Sequence, residues 1–201
     1  MKQPKQTFGV IIATRNIFNF KLAVEARKKV LDKLDKMGFG TVILPEPETP
    51  TGNIEGYPDA VKCAKLFKKN ADIIEGVVVI LPNFGDELGV VNTLKLSGLN
   101  VPVLVQACDD DNDKVDVKSR RDAFCGKLSV CNNLYQYGMK FTDTIFHTYS
   151  LDSGEFTKDL LKFAGICRVM KGLKNLRVGA IGTRPGGFQT MRASEKLLQY
   201  Y

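Results

Sequence analysis

The run Val77-Val78-Val79-Ile80-Leu81 is apolar at every position. A strand with one wet face alternates apolar and polar residues, whereas a strand buried on both faces reads as a continuous apolar run. The run is therefore expected at the centre of a sheet covered by helices on both sides. It is also far shorter than the roughly 20 residues of a membrane span, as is every other apolar run here.

Around this run, strand and helix patterns alternate, the signature of a parallel α/β sheet. Strands are expected at Phe8–Ala13, Thr41–Leu44, Ile73–Leu81, Val101–Ala107, Thr144–Thr148 and Leu176–Ile181. Helices are expected at Phe18–Met37, Asp59–Asn70, Asp86–Leu96, Lys127–Tyr137, Glu155–Leu173 and Met191–Gln199. In the first helix Leu22, Ala26, Val30, Leu34 and Met37 fall at helical spacing, and Gly38 stops it. Pro45 to Pro58 is a polar loop carrying four prolines.

These patterns predict a Rossmann- or flavodoxin-like three-layer α/β domain with a parallel sheet over residues 1–153. A connecting helix follows at 154–175, and residues 176–201 read as the incomplete start of a second α/β domain. A length of 201 residues fits one full core plus part of another. The N-terminal residues are polar with no signal-peptide core, so the expected compartment is the cytoplasm, with no membrane partner.

The five cysteines, Cys63, Cys108, Cys125, Cys131 and Cys167, contain no Cys-x-x-Cys pair, and His147 is the sole histidine. A zinc site and a disulfide framework are both disfavoured, and the thiols read as small, mostly buried apolar groups. The net charge is +7. Arg27, Lys28, Lys29, Lys33 and Lys36 alternate with Glu25, Asp32 and Asp35 on one helix, which reads as a solvated face. No nucleic-acid partner is expected.

The segment Gly182-Thr183-Arg184-Pro185-Gly186-Gly187-Phe188-Gln189 is a strand-to-helix turn. A phosphate loop would need Lys and Ser or Thr after the last glycine, and a dinucleotide fingerprint would need glycine where Arg184 stands. A plain tight turn built on Pro185 and its glycines is one reading. The guanidinium of Arg184 beside free backbone amides favours a site for an oxygen-rich ligand.

Open α/β sheets bind ligands beyond the carboxyl ends of their strands. The first such loop holds Arg15 and Asn16, and the third holds Asn83 and Phe84. Arg15 suits a carboxylate, phosphate or sugar hydroxyl, or an ion pair with a loop acid. Phe84 offers a flat apolar surface for a sugar, or a side chain folded back into the core. Asp86 is a natural helix N-cap. The run Asp109-Asp110-Asp111 lacks the pattern of a calcium loop and reads as solvated. His147 has no nucleophile or ligand partner in the sequence, so no catalytic residue is assigned within the chain.

Three motifs in order, Phe8 to Asn19, Leu81-Pro82-Asn83-Phe84-Gly85-Asp86-Glu87 and Arg184-Pro185-Gly186-Gly187-Phe188, resemble the N-terminal region of the L-fucose/L-arabinose isomerase family. The resemblance implies an aldose–ketose isomerase of carbohydrate metabolism that uses Mn2+ as a Lewis acid. The family's metal ligands and catalytic acids lie beyond the position of Tyr201, so the chain alone is expected to be inactive. The resemblance further implies a homo-oligomer, or a separate C-terminal catalytic part, in which this region closes a neighbour's site over a sugar substrate. The substrate-binding residues it implies are Arg15, Asn16, Asn83, Phe84, Arg184, Gly186 and Phe188. Phe84 stands where some members carry Trp. A non-catalytic sugar-binding or regulatory module is the alternative. A phosphate or nucleotide binder is weaker, because Thr14-Arg15-Asn16-Ile17 stands where its glycine-rich loop would be.

Overall fold

A computed structural model describes residues 5–49, 52–174, 176–179, 181–182, 186–187 and 194–200. Five parallel strands form one sheet in the order β2-β1-β3-β4-β5. The strands are β1 (Thr7–Ile12), β2 (Gly40–Ile43), β3 (Ile74–Leu81), β4 (Val103–Ala107) and β5 (Thr142–Asp143). The helices are α1 (Phe20–Lys36), α2 (Tyr57–Lys69), α3 (Glu87–Ser97), α4 (Ala123–Gln136), α5 (Gly154–Lys174) and α6 (Glu195–Tyr200), with a short 3-10 turn at Glu46–Glu48. This is the three-layer α/β architecture that the alternating patterns predicted.

β3 divides its side chains between two cores. Val77, Val79 and Leu81 join Ala60, Cys63 and Phe67 of α2, Val90 and Leu94 of α3, and Val130 and Leu134 of α4. Val78 and Ile80 join Ala26, Val30 and Leu34 of α1 and Phe156, Leu160 and Phe163 of α5. Each buried Val, Leu, Ile or Phe among them contributes about 1.5–3 kcal/mol. From Val77 to Leu81 neither face of the strand touches water, which is why this run has no polar alternation. At its start, Gly76 lets α5 come close: a Cβ there would lie 2.5 Å from Cys167 Sγ and 2.9 Å from Phe163.

α5, read from the sequence as a connector, thus supplies one wall of the second core. Three cysteines, Cys63, Cys108 and Cys167, are buried and all five are free. Burial pushes the thiols of Cys63 and Cys167 up to about 12.

Two expected strands need correction. The fifth comprises Thr142–Asp143 rather than Thr144–Thr148, because only Leu104 and Val105 of β4 offer it a partner register. Ile145 and Phe146 are consequently exposed. The strand expected at Leu176–Ile181 is not formed at its described residues: Leu176–Gly179 and Ile181 carry no strand pairing. Leu176, Val178 and Ile181 are exposed, so nothing buries the apolar side chains that suggested a strand. α6 overlaps the helix expected at Met191–Gln199 and runs on to Tyr200.

On the basic face of α1, one residue needs correction. Arg27 is buried against the loop after β2, whose carbonyls accept from it. It donates to Gly52 O at 2.6 Å and Leu44 O at 2.7 Å, with Glu46 3.6 Å away. Desolvation lowers its pKa, partly offset by Glu46. Lys33 donates to the carbonyls of Leu151 and Ser153, and Lys29 pairs with Asp152 at 2.7 Å. Lys28, Lys29, Lys36, Glu25, Asp32 and Asp35 are exposed, so the rest of this face is solvated as expected.

Candidate functional site

The strand order reverses between β1 and β3, whose following helices α1 and α3 lie on opposite faces of the sheet. The crevice outside their carboxyl ends is where such folds bind ligands. Arg15, Asn16, Asn83 and Phe84 all lie on the two loops that frame it.

Backbone bonds fix these loops to each other. Ala13 N donates to Ile80 O, and Asp86 N to Thr14 O. The polar loop after β2 returns here, with Ile54 bridging Ala13 and its carbonyl accepting from Thr14 N at 3.1 Å. Below the surface, the Asn83 amide donates to Thr14 Oγ1 at 2.9 Å and reaches Asn19 O at 3.4 Å. Asn83 is fully buried and spends its side chain on this staple. Asn19 in turn caps α1, accepting from Lys21 N.

Phe84 rides on the stapled loop. Its N–H donates to Arg121 O at 2.7 Å, and the Arg121 guanidinium donates to Pro82 O at 3.0 Å. α4 supports the loop from behind, where a Cβ on Gly126 would lie only 2.9 Å from Phe84 Cα. The half-buried Phe84 ring stacks on Phe18, centroids 6.1 Å apart and planes 12° apart.

Arg15 lies across the Phe84 ring and forms an ion pair with Glu87; Asp86 is 3.9 Å away. Of the two readings of Arg15, the structure shows the ion pair with loop acids, made at the end of β1. Its Nε is buried and has no hydrogen-bond partner. Asp86 is the α3 N-cap expected from the sequence, accepting from Gly89 N at 2.5 Å. Asn16 is exposed in the turn closed by Phe18 N and Arg15 O.

The sequence did not single out Glu55, which follows Ile54 into the same crevice. One of its carboxylate oxygens is buried without a partner. Desolvation raises its pKa, and the nearby Asp59 and Asp86 carboxylates add to the rise. Its place depends on the Ala13–Ile54 bridge, which no local pattern encodes.

Gly186 occupies an exposed turn with Gly187. Arg184 and Phe188 lie outside the described residues. His147 packs its ring against Phe124, centroids 5.2 Å apart, and its carbonyl accepts from the buried Lys127. Asp110 accepts from Ala123 N and Phe124 N at the start of α4, a structural role within the acidic run. A cleft of about 250 Å3 opens near Cys108, with Lys29, Glu25, Asp109 and Arg121 in its walls. Its charges are mixed, and Lys29 and Arg121 already have partners.

Among the described residues, no group of three or more His, Cys, Asp or Glu is placed to hold a metal ion. None of their helices is long and apolar enough to cross a membrane. Exposed apolar residues surround the crevice: Ile17 and Phe20 before and at the start of α1, Tyr57 at α2, and Leu88 at α3.

Two curated relatives are similar to the chain over most of its length. They are the sulfoquinovose isomerases of Priestia aryabhattai and Priestia megaterium, each 27% identical over 186 residues. The alignment covers 92% of this chain but 38% of either relative, so the chain spans well under half their length. No solved structure matches it. The model of the fucose/sulfoquinovose isomerase N-terminal domain matches residues 9–174, from β1 to the last residue of α5, and the chain belongs to that family.

Proposed function

We propose that the chain serves as the N-terminal region of an aldose–ketose isomerase of the L-fucose/L-arabinose type. In this role it closes a sugar site and makes the contacts of an oligomer. The observation that carries the reading is the Arg15–Phe84 pair at the topological switch point: a cation with an open face beside a flat ring suits the hydroxyls and apolar face of a sugar. The exposed Ile17, Phe20, Tyr57 and Leu88 around it suit burial against a neighbouring subunit.

The described residues offer no fitting metal site. Mn2+ and the proton-transferring acids of the isomerisation would therefore come from outside them, and the chain's own task is to orient the sugar and exclude water. Asn83 acts indirectly, by holding the loop that carries Phe84.

The test is an NMR titration of the 15N-labelled chain with L-fucose and L-arabinose. The expected result is movement of the Arg15 Nε–H and Phe84 amide resonances, with no ketose formed when Mn2+ is added. Sugar-induced shifts confined to other loops overturn the assignment of the site, and turnover by the chain alone overturns the division of labour.

A further inference from the structure

The exposed face of α4 carries no charge. The helix has one charged residue, Lys127, and it is buried. It donates to Thr144 Oγ1 at 2.6 Å and His147 O at 3.0 Å, with Asp143 Oδ1 2.6 Å away. α1, α2, α3 and α5 instead expose lysine, as at Lys28, Lys65, Lys95 and Lys162. The net charge of the chain is +7, so two copies repel each other over most of their surface. Among the described long helices, α4 alone offers a second copy a face without cations.

In place of charge this face carries Phe124, Leu128 and Tyr135, all exposed, with the half-buried Cys131 between them. Spacings of four, three and four residues put the four side chains on one stripe about 60° wide. The stripe continues onto the segment after β5. The Phe124 ring packs on His147, centroids 5.2 Å apart, and Ile145 and Phe146 just before His147 are exposed. Lys127 holds this segment from within, and Ile145 N donates to Asp159 Oδ2 at 3.0 Å. The patch is therefore already ordered, which lowers the entropy lost when it is covered.

The stripe also reads the same in both directions. A twofold axis crossing α4 between Ser129 and Val130 sets two copies antiparallel. Leu128 of one copy then meets Cys131 of the other, and Phe124 meets Tyr135, so the contact closes on itself. α4 has 14 residues and is about 21 Å long. A contact confined to one such helix and its neighbouring segment falls below the roughly 800 Å2 per partner of a standard interface, which points to a weak, reversible dimer.

We propose that the uncharged face of α4, with Ile145 and Phe146, is the docking surface for a second copy of this chain in a twofold dimer. It is separate from the apolar rim of the crevice at Ile17, Phe20, Tyr57 and Leu88, and it does not depend on the sugar reading of Arg15 and Phe84.

The experiment is sedimentation velocity of the chain from micromolar to millimolar concentration, with amide spectra of the 15N-labelled chain over the same range. The expected result is a reversible monomer–dimer equilibrium, with the Leu128 and Tyr135 amide resonances moving as the dimer forms. Leu128→Lys places two cations near the axis and should weaken association at least about tenfold. Leu128 is exposed, so this variant should keep the parent's amide spectrum at low concentration. Leu88→Lys, on the crevice rim, should leave association unchanged. A chain that stays monomeric at millimolar concentration overturns the proposal, and the sugar titration of Arg15 and Phe84 is unaffected by that result. Association that Leu128→Lys leaves intact, or that Leu88→Lys abolishes, overturns the assignment of the interface to α4.

Discussion

The guanidinium carbon of Arg15 lies 4.8 Å from the centre of the Phe84 ring. The same ring stacks on Phe18 from its own loop. Phe84 thus contacts both a cation and a second aromatic ring. Replacing Phe84 by Ala removes both contacts and should cost about 1–2 kcal/mol in urea denaturation. Phe84→Trp preserves a flat face and should stay within about 0.5 kcal/mol of the parent.

Gly126 sets how closely α4 approaches the Phe84 loop. Gly126→Ala places a methyl group 2.9 Å from Phe84 Cα, a backbone atom that cannot rotate aside. The expected cost is about 1–3 kcal/mol, accompanied by shifted amide resonances at Phe84 and Gly85. Gly165 on α5 is the control. A Cβ there meets nothing within 4 Å, so Gly165→Ala should stabilise by about 0.5–1 kcal/mol through helix propensity.

Arg27 holds the loop between β2 and α2 through the carbonyls of Leu44 and Gly52. Arg27→Met keeps the aliphatic bulk but leaves both acceptors without their donor. The expected loss is about 2–4 kcal/mol. Limited proteolysis should show faster cleavage of this loop; unchanged cleavage would mean that other contacts hold it.

Glu55 gives a pH signature. Its folded pKa is raised above the unfolded value, so in the window between them the folded state binds more protons. Stability from this group is therefore present at low pH and lost as pH rises through the folded value. Glu55→Gln removes the cost of the charge. Its melting temperature should match the parent's near the ordinary glutamate pKa of about 4.3 and exceed it increasingly toward neutral pH. A constant difference across the range would mean that the carboxylate is not destabilised by its surroundings.

Features written in a single element were legible in the sequence. β3 announces itself because both of its faces are buried, and Asp86 because N-capping is a local act. Arg15 and Phe84 could be placed because strand ends in this fold converge. What was not legible depends on partners distant in the chain. Arg27 looks like the lysines beside it until the carbonyls of Leu44 and Gly52 are known to lie against it. Glu55 sits in a proline-rich loop whose return to Ala13 no spacing predicts. The fifth strand is expected too far along because the apolar Ile145 and Phe146 beyond it resemble a strand, whereas pairing falls on Thr142 and Asp143.

β3 itself raises a question of alignment. Its residues from Val77 to Leu81 are so alike in size and polarity that hydrophobicity alone hardly distinguishes one seating from the next. Gly76 does. A shift of one position would bring a valine side chain into the space that Cys167 and Phe163 occupy. The smallest residue of the strand therefore works as a notch, admitting α5 in one alignment, and through β3 it determines where the chain emerges at Asn83 and Phe84.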